Sequence, residues 1–221
     1  MKIKYRGTIT IMKRVIIEQS QQIVKQAQRE GNKQMSRFCA FEIRNLDRLH
    51  DLLYSPLMDK FMVTVTSTGN LGCIWIFTAL MLLISNPDHQ IGYTMLIALL
   101  LGIAVGNLLI KNTVKRSRPF FHKNYKLLIK QPWDYSFPSG HTLASFSAAT
   151  VLFYMNPWMG FVAYIYATII ALSRLYLRVH FFTDVFFSML LGIGLGVFSV
   201  YIYTNNILGI AEFLRYLRWN Y

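Results

Sequence analysis

The chain has 221 residues, of which 54% are hydrophobic and only 15% are charged, and its 23 Lys and Arg against 10 Asp and Glu give a formal charge of +13. This balance departs from that of a soluble domain in the direction of a membrane protein. The positive charge favours an anionic partner. A soluble nucleic-acid binder has no use for long apolar runs, so the composition favours membrane lipids and excludes nucleic acid as the partner.

Residues 1–60 form a basic, mostly polar region that precedes every apolar run of membrane length. A loose helical period runs through 12–27, and a clearer amphipathic period runs through 37–53. The clearer segment places Phe38, Phe41, Leu46, Leu49 and Leu53 on one side and Arg44, Asp47, Arg48 and Asp51 on the other. It predicts an amphipathic helix in the membrane interface, while a solvated helix fits the first segment nearly as well. The first apolar stretch comes too late in the chain for a cleavable signal peptide.

Five apolar stretches follow, over residues 61–84, 91–110, 141–155, 158–177 and 185–206. A helix that spans a membrane needs about 20 apolar residues. The pattern therefore predicts an all-α, polytopic membrane helix bundle with about five transmembrane helices in residues 61–210, followed by a basic tail over 211–221. The third stretch is short and opens with His141, so its start is expected to lie recessed in the protein.

Small residues within these stretches predict how the helices pack. Gly102 and Gly106 in the second stretch, and Gly192 and Gly196 in the fifth, are spaced four apart. This spacing lets helix backbones approach closely. The two cysteines are Cys39 and Cys73; the second falls inside an apolar run and is predicted to be a small core residue.

The polar segments 1–60, 111–140 and 173–184 fall on the same face if five helices cross the membrane. The second of them begins with a cluster from Lys111 to Arg118-Pro119. Lys111 and Arg118 are seven residues apart, close to two helical turns, so both side chains can point the same way. The same segment ends with Pro-Ser-Gly-His over 138–141. Ser139 is a candidate N-cap there, and the free N–H groups of a helix start bind anions.

A third cluster, Ser173-Arg174 with His180 and Asp184, lies between two apolar stretches. Charged groups at membrane depth are costly and usually mark function. His180 and Asp184 are four residues apart, about one helical turn. A carboxylate in that position can accept a hydrogen bond from one imidazole nitrogen and leave the other as a nucleophile or base.

Each cluster alone has a structural explanation, since Lys and Arg at helix ends commonly extend to the membrane interface and Pro-Ser-Gly-His is a capped turn. Their combination points to phosphate chemistry. Lys111, Arg118 and Arg174 can clamp three phosphoryl oxygens, while the helix start and the Ser139 hydroxyl add donors. Two histidines, His141 and His180, supply an acid and a nucleophile.

Carboxylates are scarce on this face, where Asp134 and Asp184 are the ones beyond the N-terminal region. Magnesium-dependent phosphoryl transfer needs carboxylates to hold the ion, and the chain has no glycine loop ending in Lys-Ser or Lys-Thr. The pattern therefore predicts that Lys and Arg neutralise the phosphate, with no metal and no cofactor.

Together, Lys-x6-Arg-Pro, Pro-Ser-Gly-His and Ser-Arg-x5-His-x3-Asp resemble the three signature motifs of the type 2 phosphatidic acid phosphatase superfamily. That family includes lipid phosphate phosphatases, bacterial undecaprenyl-diphosphate phosphatases, glucose-6-phosphatase and vanadium haloperoxidases. The resemblance covers residues 61–206 and implies an all-helical core with a histidine nucleophile. It implies that His180 is the nucleophile, Asp184 its orienting partner and His141 the general acid, and that phosphate is held by Lys111, Arg118, Arg174, Ser139 and the Gly140 amide. Many membrane members have six spans; by this resemblance the chain is expected to lack the first and to have an amphipathic segment in its place.

The resemblance implies a multi-pass cell-membrane phosphatase that acts on a lipid phosphate or diphosphate through a phosphohistidine. Undecaprenyl diphosphate is favoured by similarity to short bacterial members, with phosphatidylglycerophosphate or phosphatidate as the alternative. A transporter that binds an anion without turning it over is an alternative of another class, but such a site needs cations and not two histidines with an aligned aspartate. A basic membrane-anchored scaffold would explain the charge of residues 1–60 but not the three motifs.

Two arguments about the side of the membrane disagree. Lys and Arg number 12 in residues 1–60, seven in 111–140 and two in 173–184, against only Arg215 and Arg218 on the opposite face. Counted this way, the positive-inside rule places the active site in the cytoplasm. The family resemblance places it on the extracytoplasmic face, where spent lipid diphosphate carrier is released in bacteria. We expect the extracytoplasmic face, because several of the counted residues are fixed by chemistry and the N-terminal region is long for the rule.

Overall fold

The computed structural model describes residues 36–85, 90–205 and 209. Its helices are α1 Arg37–Leu53, α2 Pro56–Thr68, α3 Cys73–Ser85, α4 Gln90–Leu101, α5 Lys111–Val114, α6 Pro119–His122, α7 Gly140–Met155, α8 Pro157–Tyr176 and α9 Phe182–Thr204. A 3-10 turn, Asn70–Gly72, lies between α2 and α3, and a π-helix, Gly102–Ile110, joins α4 to α5. No strand occurs in the described ranges, which confirms the predicted all-α class. The 12–27 period and the basic tail lie outside the described residues.

Three helical segments of the described chain are long and apolar enough to cross a membrane: Gln90–His122, Pro157–Tyr176 and Phe182–Thr204. A fourth forms if α2 and α3 count as one broken span, since they are bent by 47° at the turn between them. The remaining predicted span is α7, which has 16 residues and so rises only about 24 Å, less than the roughly 30 Å hydrocarbon core. It is enclosed by α4, α8 and α9.

Three of the four predicted packing glycines allow α7 to lie close to its neighbours. A Cβ atom on Gly106 would stand 2.3 Å from a methyl carbon of Leu143. Cβ atoms on Gly192 and Gly196 would stand 2.7 Å and 2.8 Å from backbone oxygens of α7. These contacts confirm the prediction of close helix packing at those positions, while Gly102 has ordinary space around it.

The break between α2 and α3 follows from local backbone conformation. Pro56 stands in the first turn of α2, and the Ser55 hydroxyl accepts a hydrogen bond from Met58 N at 3.0 Å, as expected of a helix start. The chain then reaches Leu71 and Gly72 with φ of 52° and 71°. This left-handed conformation interrupts helical hydrogen bonding, so the 61–84 stretch does not form one straight helix.

One sequence prediction about burial is wrong. Cys73 is exposed, because the turn before α3 places it on the outer side of the helix start, which an apolar run cannot reveal. Helix α1 forms as predicted, but Phe38 and Phe41 are exposed while Glu42, Ile43 and Leu46 are buried. The helix is rotated in this way because Glu42 pairs with Arg116 of the bundle. The exposed face carries aromatic residues beside Arg44 and Arg48, a mixture typical of interfacial helices.

Candidate active site

His180 lies between α8 and α9 and is almost completely buried, with 1% of its surface exposed. Helix α8 ends in a turn with Arg178 at φ 56°, closed by a 3.2 Å hydrogen bond from Val179 N to Arg174 O. This turn directs the imidazole inward. Burial, and then the charges of Arg118 and Arg174, hold the pKa of His180 well below its usual range, so the ring is neutral near pH 7.

The hydrogen bonds of His180 define which ring nitrogen carries the proton. Nδ1 lies 2.7 Å from the carbonyl oxygen of Ser136. A carbonyl only accepts, so Nδ1 is the donor. Nε2 lies 3.1 Å from Nη1 of Arg118, and a guanidinium only donates. Both contacts therefore place the lone pair on Nε2, which is the form that a nucleophile requires.

A cavity of about 1110 Å³ opens beside this nitrogen and gathers residues from all three sequence clusters. Its polar lining includes Lys111, Arg118, Gly140, His141, Arg174 and His180. The three cations are buried. Arg118 Nη1 donates to Val179 O at 2.7 Å, and Arg174 Nη1 donates to Thr66 Oγ1 at 2.5 Å, while Arg174 Nε has no partner among the described residues. The predicted phosphate-binding cations thus converge on one cavity that His180 also lines.

Asp134, on the loop between α6 and α7, occupies the mouth of this cationic cavity. Its carboxylate lies 2.5 Å from Lys111 Nζ and also pairs with Arg118 Nη2. Arg118 Nε in addition donates to the Asp134 carbonyl at 2.8 Å. Partial burial alone would raise the pKa of Asp134, but the hydrogen bond from Lys111 and the charge of Arg118 outweigh it and lower the pKa to about 2. The side chain is 51% exposed, so this carboxylate sits where an incoming anion would enter.

The second cluster forms the opposite wall, at the start of α7. Gly140 and His141 line the cavity. His141 Nε2 lies 3.1 Å from Asn70 Oδ1, an acceptor, so that nitrogen is the donor. Asn70 belongs to the turn that separates α2 from α3. The break in the first span therefore supplies the partner that orients the candidate general acid.

Ser139 does not follow its predicted role closely. It stands at the N-cap position of α7 but makes no capping hydrogen bond with its side chain. The residue is fully buried behind the cavity wall: its N–H donates to Ser188 Oγ at 2.7 Å, and its hydroxyl accepts from Thr142 at 3.0 Å. Its place in phosphate binding remains a prediction.

Asp184 lies behind His180 and makes no hydrogen bond to it. Its Oδ2 is 3.7 Å from His180 Nδ1, longer than a hydrogen bond, because the Ser136 carbonyl takes the Nδ1 proton instead. The same oxygen accepts from the Ser136 hydroxyl and, at 2.8 Å, from Phe181 N, while Oδ1 lies 2.6 Å from Arg116 Nη1. Asp184 is thus connected to His180 through Ser136, which the spacing of four had not predicted.

No group of three or more His, Cys, Asp or Glu side chains in the described part of the chain is arranged to hold a metal ion. The two carboxylates nearest the cavity, Asp134 and Asp184, are both engaged by arginine or lysine. The donor set around the cavity is accordingly one that binds an anion.

Comparison with known proteins agrees with this arrangement. The family model of the PAP2 superfamily matches residues 90–208, more than half of the chain. The chain belongs to the PAP2 superfamily. The undecaprenyl-diphosphatase of Sulfolobus acidocaldarius is 35% identical over 131 residues, which cover 58% of this chain and 63% of that protein, so the alignment spans less than two thirds of the relative.

Two further proteins are similar to this PAP2 chain. The undecaprenyl-diphosphatase BcrC of Bacillus subtilis is 27% identical over 145 residues, which cover 65% of this chain and 74% of BcrC. The crystal structure of Aquifex aeolicus LpxE superimposes with a TM-score of 0.64 at 26% identity and covers 73% of this chain and 95% of LpxE. The helical fold described above is therefore a known PAP2 fold, and the protein is a membrane protein.

The site also contains residues that the three PAP2 motifs do not include. Ser136, Asn70 and Glu42 contact, respectively, His180, His141 and the Arg116–Asp184 pair. The PAP2 match begins at residue 90, so two of these three precede it. The sequence signal for Glu42 was present: it is a carboxylate inside the apolar side of an amphipathic helix, where charge is costly unless paired.

Proposed function

We propose that this PAP2 protein is a multi-pass membrane phosphatase that hydrolyses a lipid phosphate or diphosphate, with undecaprenyl diphosphate as its preferred substrate. The observation that carries the proposal is the state of His180. Its Nδ1 proton is held by the Ser136 carbonyl, and its Nε2 lone pair is beside Arg118 at the edge of a cavity lined by Lys111 and Arg174.

The reaction proceeds in two displacements at phosphorus. His180 Nε2 forms a bond to phosphorus as the bond from phosphorus to the leaving oxygen breaks, and His141 delivers a proton to that oxygen. Lys111, Arg118 and Arg174 stabilise the charge on the phosphoryl oxygens. Water then attacks phosphorus while neutral His141 accepts a proton from it. The nitrogen–phosphorus bond breaks, its electron pair returns to Nε2, and phosphate leaves.

The shape of the cavity supports a lipid substrate. Apolar side chains from α2, α3, α4 and the π-helix complete its lining, including Val63, Ile76, Leu99 and Ile103. Ile76 and Ile103 are exposed, so apolar side chains offer a path along the cavity wall. A lipid chain can extend along this path while its headgroup meets the cations. The names of the two curated relatives favour undecaprenyl diphosphate among such lipids.

Phosphate release by purified protein in detergent tests the function. The substrates are undecaprenyl diphosphate, undecaprenyl phosphate, phosphatidate and phosphatidylglycerophosphate, and His180→Ala is the matched control for contaminating phosphatases. We expect the fastest release from undecaprenyl diphosphate and none from the variant. Faster release from a glycerophospholipid would identify that lipid, and not undecaprenyl diphosphate, as the preferred substrate. Release from none of the four would refute the phosphatase function.

We also propose that the cavity faces the extracytoplasmic side, in keeping with recycling of an external carrier lipid, although the distribution of Lys and Arg favours the cytoplasm. The exposed Lys126, in the loop that leads to Asp134, is suited to a test. A Lys126→Cys variant without Cys39 and Cys73 should react with an impermeant maleimide in intact cells. Labelling only after lysis would place the cavity in the cytoplasm and would exclude that recycling role.

A further inference from the structure

Glu42 is a carboxylate on the apolar side of the amphipathic helix α1. It is 2% exposed. Its Oε1 accepts hydrogen bonds from the N–H of Thr183 at 3.0 Å and from the hydroxyl of Thr183 at 2.7 Å, and its Oε2 pairs with Arg116. A buried carboxylate is strongly destabilising unless it is paired and hydrogen-bonded. Here both oxygens are bonded to residues next to the candidate nucleophile.

Arg116 connects Glu42 to Asp184. Its Nη2 binds Glu42, whereas Nη1 lies 2.6 Å from both Asp184 Oδ1 and Thr183 Oγ1. The planar guanidinium fixes the relative positions of the groups that it binds on its two amino nitrogens. It also stacks over the ring of Phe181 at 4.1 Å, and Phe181 follows His180 directly in the chain.

Asp184 transmits this arrangement to the reacting ring. Its second oxygen accepts from the Ser136 hydroxyl, and the Ser136 carbonyl holds the Nδ1 proton of His180. The path from Glu42 to the nucleophile therefore runs through Arg116, Asp184 and Ser136. Glu42 itself is not among the residues that line the cavity, so it has no direct contact with a substrate bound there.

We propose that Glu42 is a positioning residue, and that α1 thereby completes the active site from outside the region matched by the PAP2 family. The inference rests on the proposed phosphatase function. Glu42 holds the guanidinium of Arg116 in the orientation that fixes Asp184, and it holds the first turn of α9 through Thr183. Without the charge of Glu42, Arg116 pairs with one carboxylate in place of two, and its guanidinium can rotate away from Asp184. Ser136 and His180 are then held less firmly.

Glu42→Gln tests this role in the full-length protein, with undecaprenyl diphosphate as substrate in detergent. The amide preserves the shape of the side chain but removes its charge. We expect kcat to fall about 10- to 100-fold, as misplacement of a catalytic group does. KM should change less than about twofold, because the cations of the cavity are untouched. Asp51→Asn is the matched control: it removes an exposed carboxylate from the same helix, where a surface pair 3.7 Å from Arg178 contributes little, and it should retain both constants.

The outcomes separate the two proposals. If the wild type releases phosphate and Glu42→Gln has the kcat of Asp51→Asn, the positioning role is wrong. It is also wrong if kcat is retained and only the unfolding temperature falls, because that result describes a purely structural contact. If Glu42→Gln does not fold, Arg116→Lys decides, since lysine keeps the positive charge but cannot bridge Glu42 and Asp184 with two nitrogens of one planar group; unchanged kcat there overturns the role. An inactive wild type refutes the phosphatase function itself and this inference with it.

Discussion

On the cavity side of His180, three cations face one carboxylate, Asp134, whereas behind the ring one arginine is shared by Glu42 and Asp184. The side chain of Asp134 is 51% exposed, while those of Glu42 and Asp184 are 3% and 0% exposed. An exposed carboxylate can move into water when a phosphate replaces it. A buried one cannot leave without stranding a charge in the protein.

In the proposed reaction, similar ion pairs have opposite functions in the two regions. In front of His180, the pairs of Asp134 with Lys111 and Arg118 have to break when phosphate binds. Behind it, the pairs of Arg116 have to persist through the reaction, because they hold Asp184. Variants on each side should therefore change different kinetic constants.

The largest effect is expected for a change of His180, which lies between the two regions. His180→Ala removes the nitrogen that attacks phosphorus, and turnover should fall by roughly 10^4-fold or more, as for loss of a catalytic nucleophile. Because the buried ring also bonds Ser136 and Arg118, the unfolding temperature in detergent is measured alongside to establish that the variant is folded. Initial rates of phosphate release measure the effect. Retention of more than a few per cent of the activity would contradict a phosphohistidine mechanism.

Asp184→Asn tests the buried side. The amide keeps the size of the carboxylate but loses its charge pair with Arg116. We expect turnover to fall by roughly 10- to 10^4-fold, less than in His180→Ala, because the residue orients the nucleophile without reacting. Single-turnover rates of the two variants, measured side by side, decide the order. Equal loss in both would mean that Asp184 takes part in the chemistry, and no loss would mean that the network behind the ring is inert.

Asp134→Asn tests the exposed side and should have a smaller effect of opposite sign. Removing the competing carboxylate frees Lys111 and Arg118 for a ligand, so inhibition by inorganic phosphate should need a concentration about 3- to 10-fold lower. Inhibition curves for variant and wild type measure this ratio. An unchanged or higher phosphate concentration for inhibition would show that Asp134 does not compete at the site.

The inhibitory phosphate concentrations of Asp134→Asn and wild type form a ratio whose pH dependence follows from the pKa of Asp134. That pKa is lowered to about 2 from about 3.9 in an unfolded chain. Because the folded value is the lower one, the stabilising contribution of these ion pairs is complete above the unfolded value and is lost as pH falls through about 2. The carboxylate stays ionised in any ordinary assay. The ratio between variant and wild type should therefore be constant from about pH 5 to pH 8, and a ratio that disappears near pH 7 would contradict this ionisation.

The smallest effect is expected for a chelator, which should leave the activity unchanged. If Lys111, Arg118 and Arg174 supply the whole positive charge of the cavity, activity should survive an excess of chelator. Vanadate should still inhibit, since it adopts the five-coordinate geometry of the transferring phosphoryl group. Phosphate release with and without chelator measures this, with added magnesium as the control. Loss of activity in chelator that magnesium restores would show that the cations alone are insufficient.

The sequence predicted the cavity better than its surroundings. Lys111, Arg118, His141, Arg174 and His180 converge as expected, because each stands in a motif whose spacing is tied to a helix end. The partners that orient the two histidines could not be predicted in this way. Ser136 and Asn70 come from a loop and from a break between helices, and their contacts arise only when distant segments pack.

Helix α1 shows the same limit for the fold. Its amphipathic period correctly predicts a helix, but a period states which residues share a face and not which face is buried. The face that packs inward is the one on which Glu42 meets Arg116, and Phe38 and Phe41 turn outward as a result. The bend at Leu71 could likewise not be predicted from the sequence, because both halves of the 61–84 stretch are apolar. Only the backbone conformation separates them.

The number of residues in the π-helix between α4 and α5 determines where Lys111 lies around the helix axis. Each residue of an α-helix turns the chain by about 100°, and a π-helix accommodates extra residues within the same helical path. Deleting one residue from Gly102–Ile110 would shift the register of everything after it and carry Lys111 around the helix axis, away from the cavity that it lines. Substitutions of similar size leave that register intact. Insertions and deletions are thus the evolutionary changes that this segment is least able to accept, even though none of its own side chains reacts with phosphate.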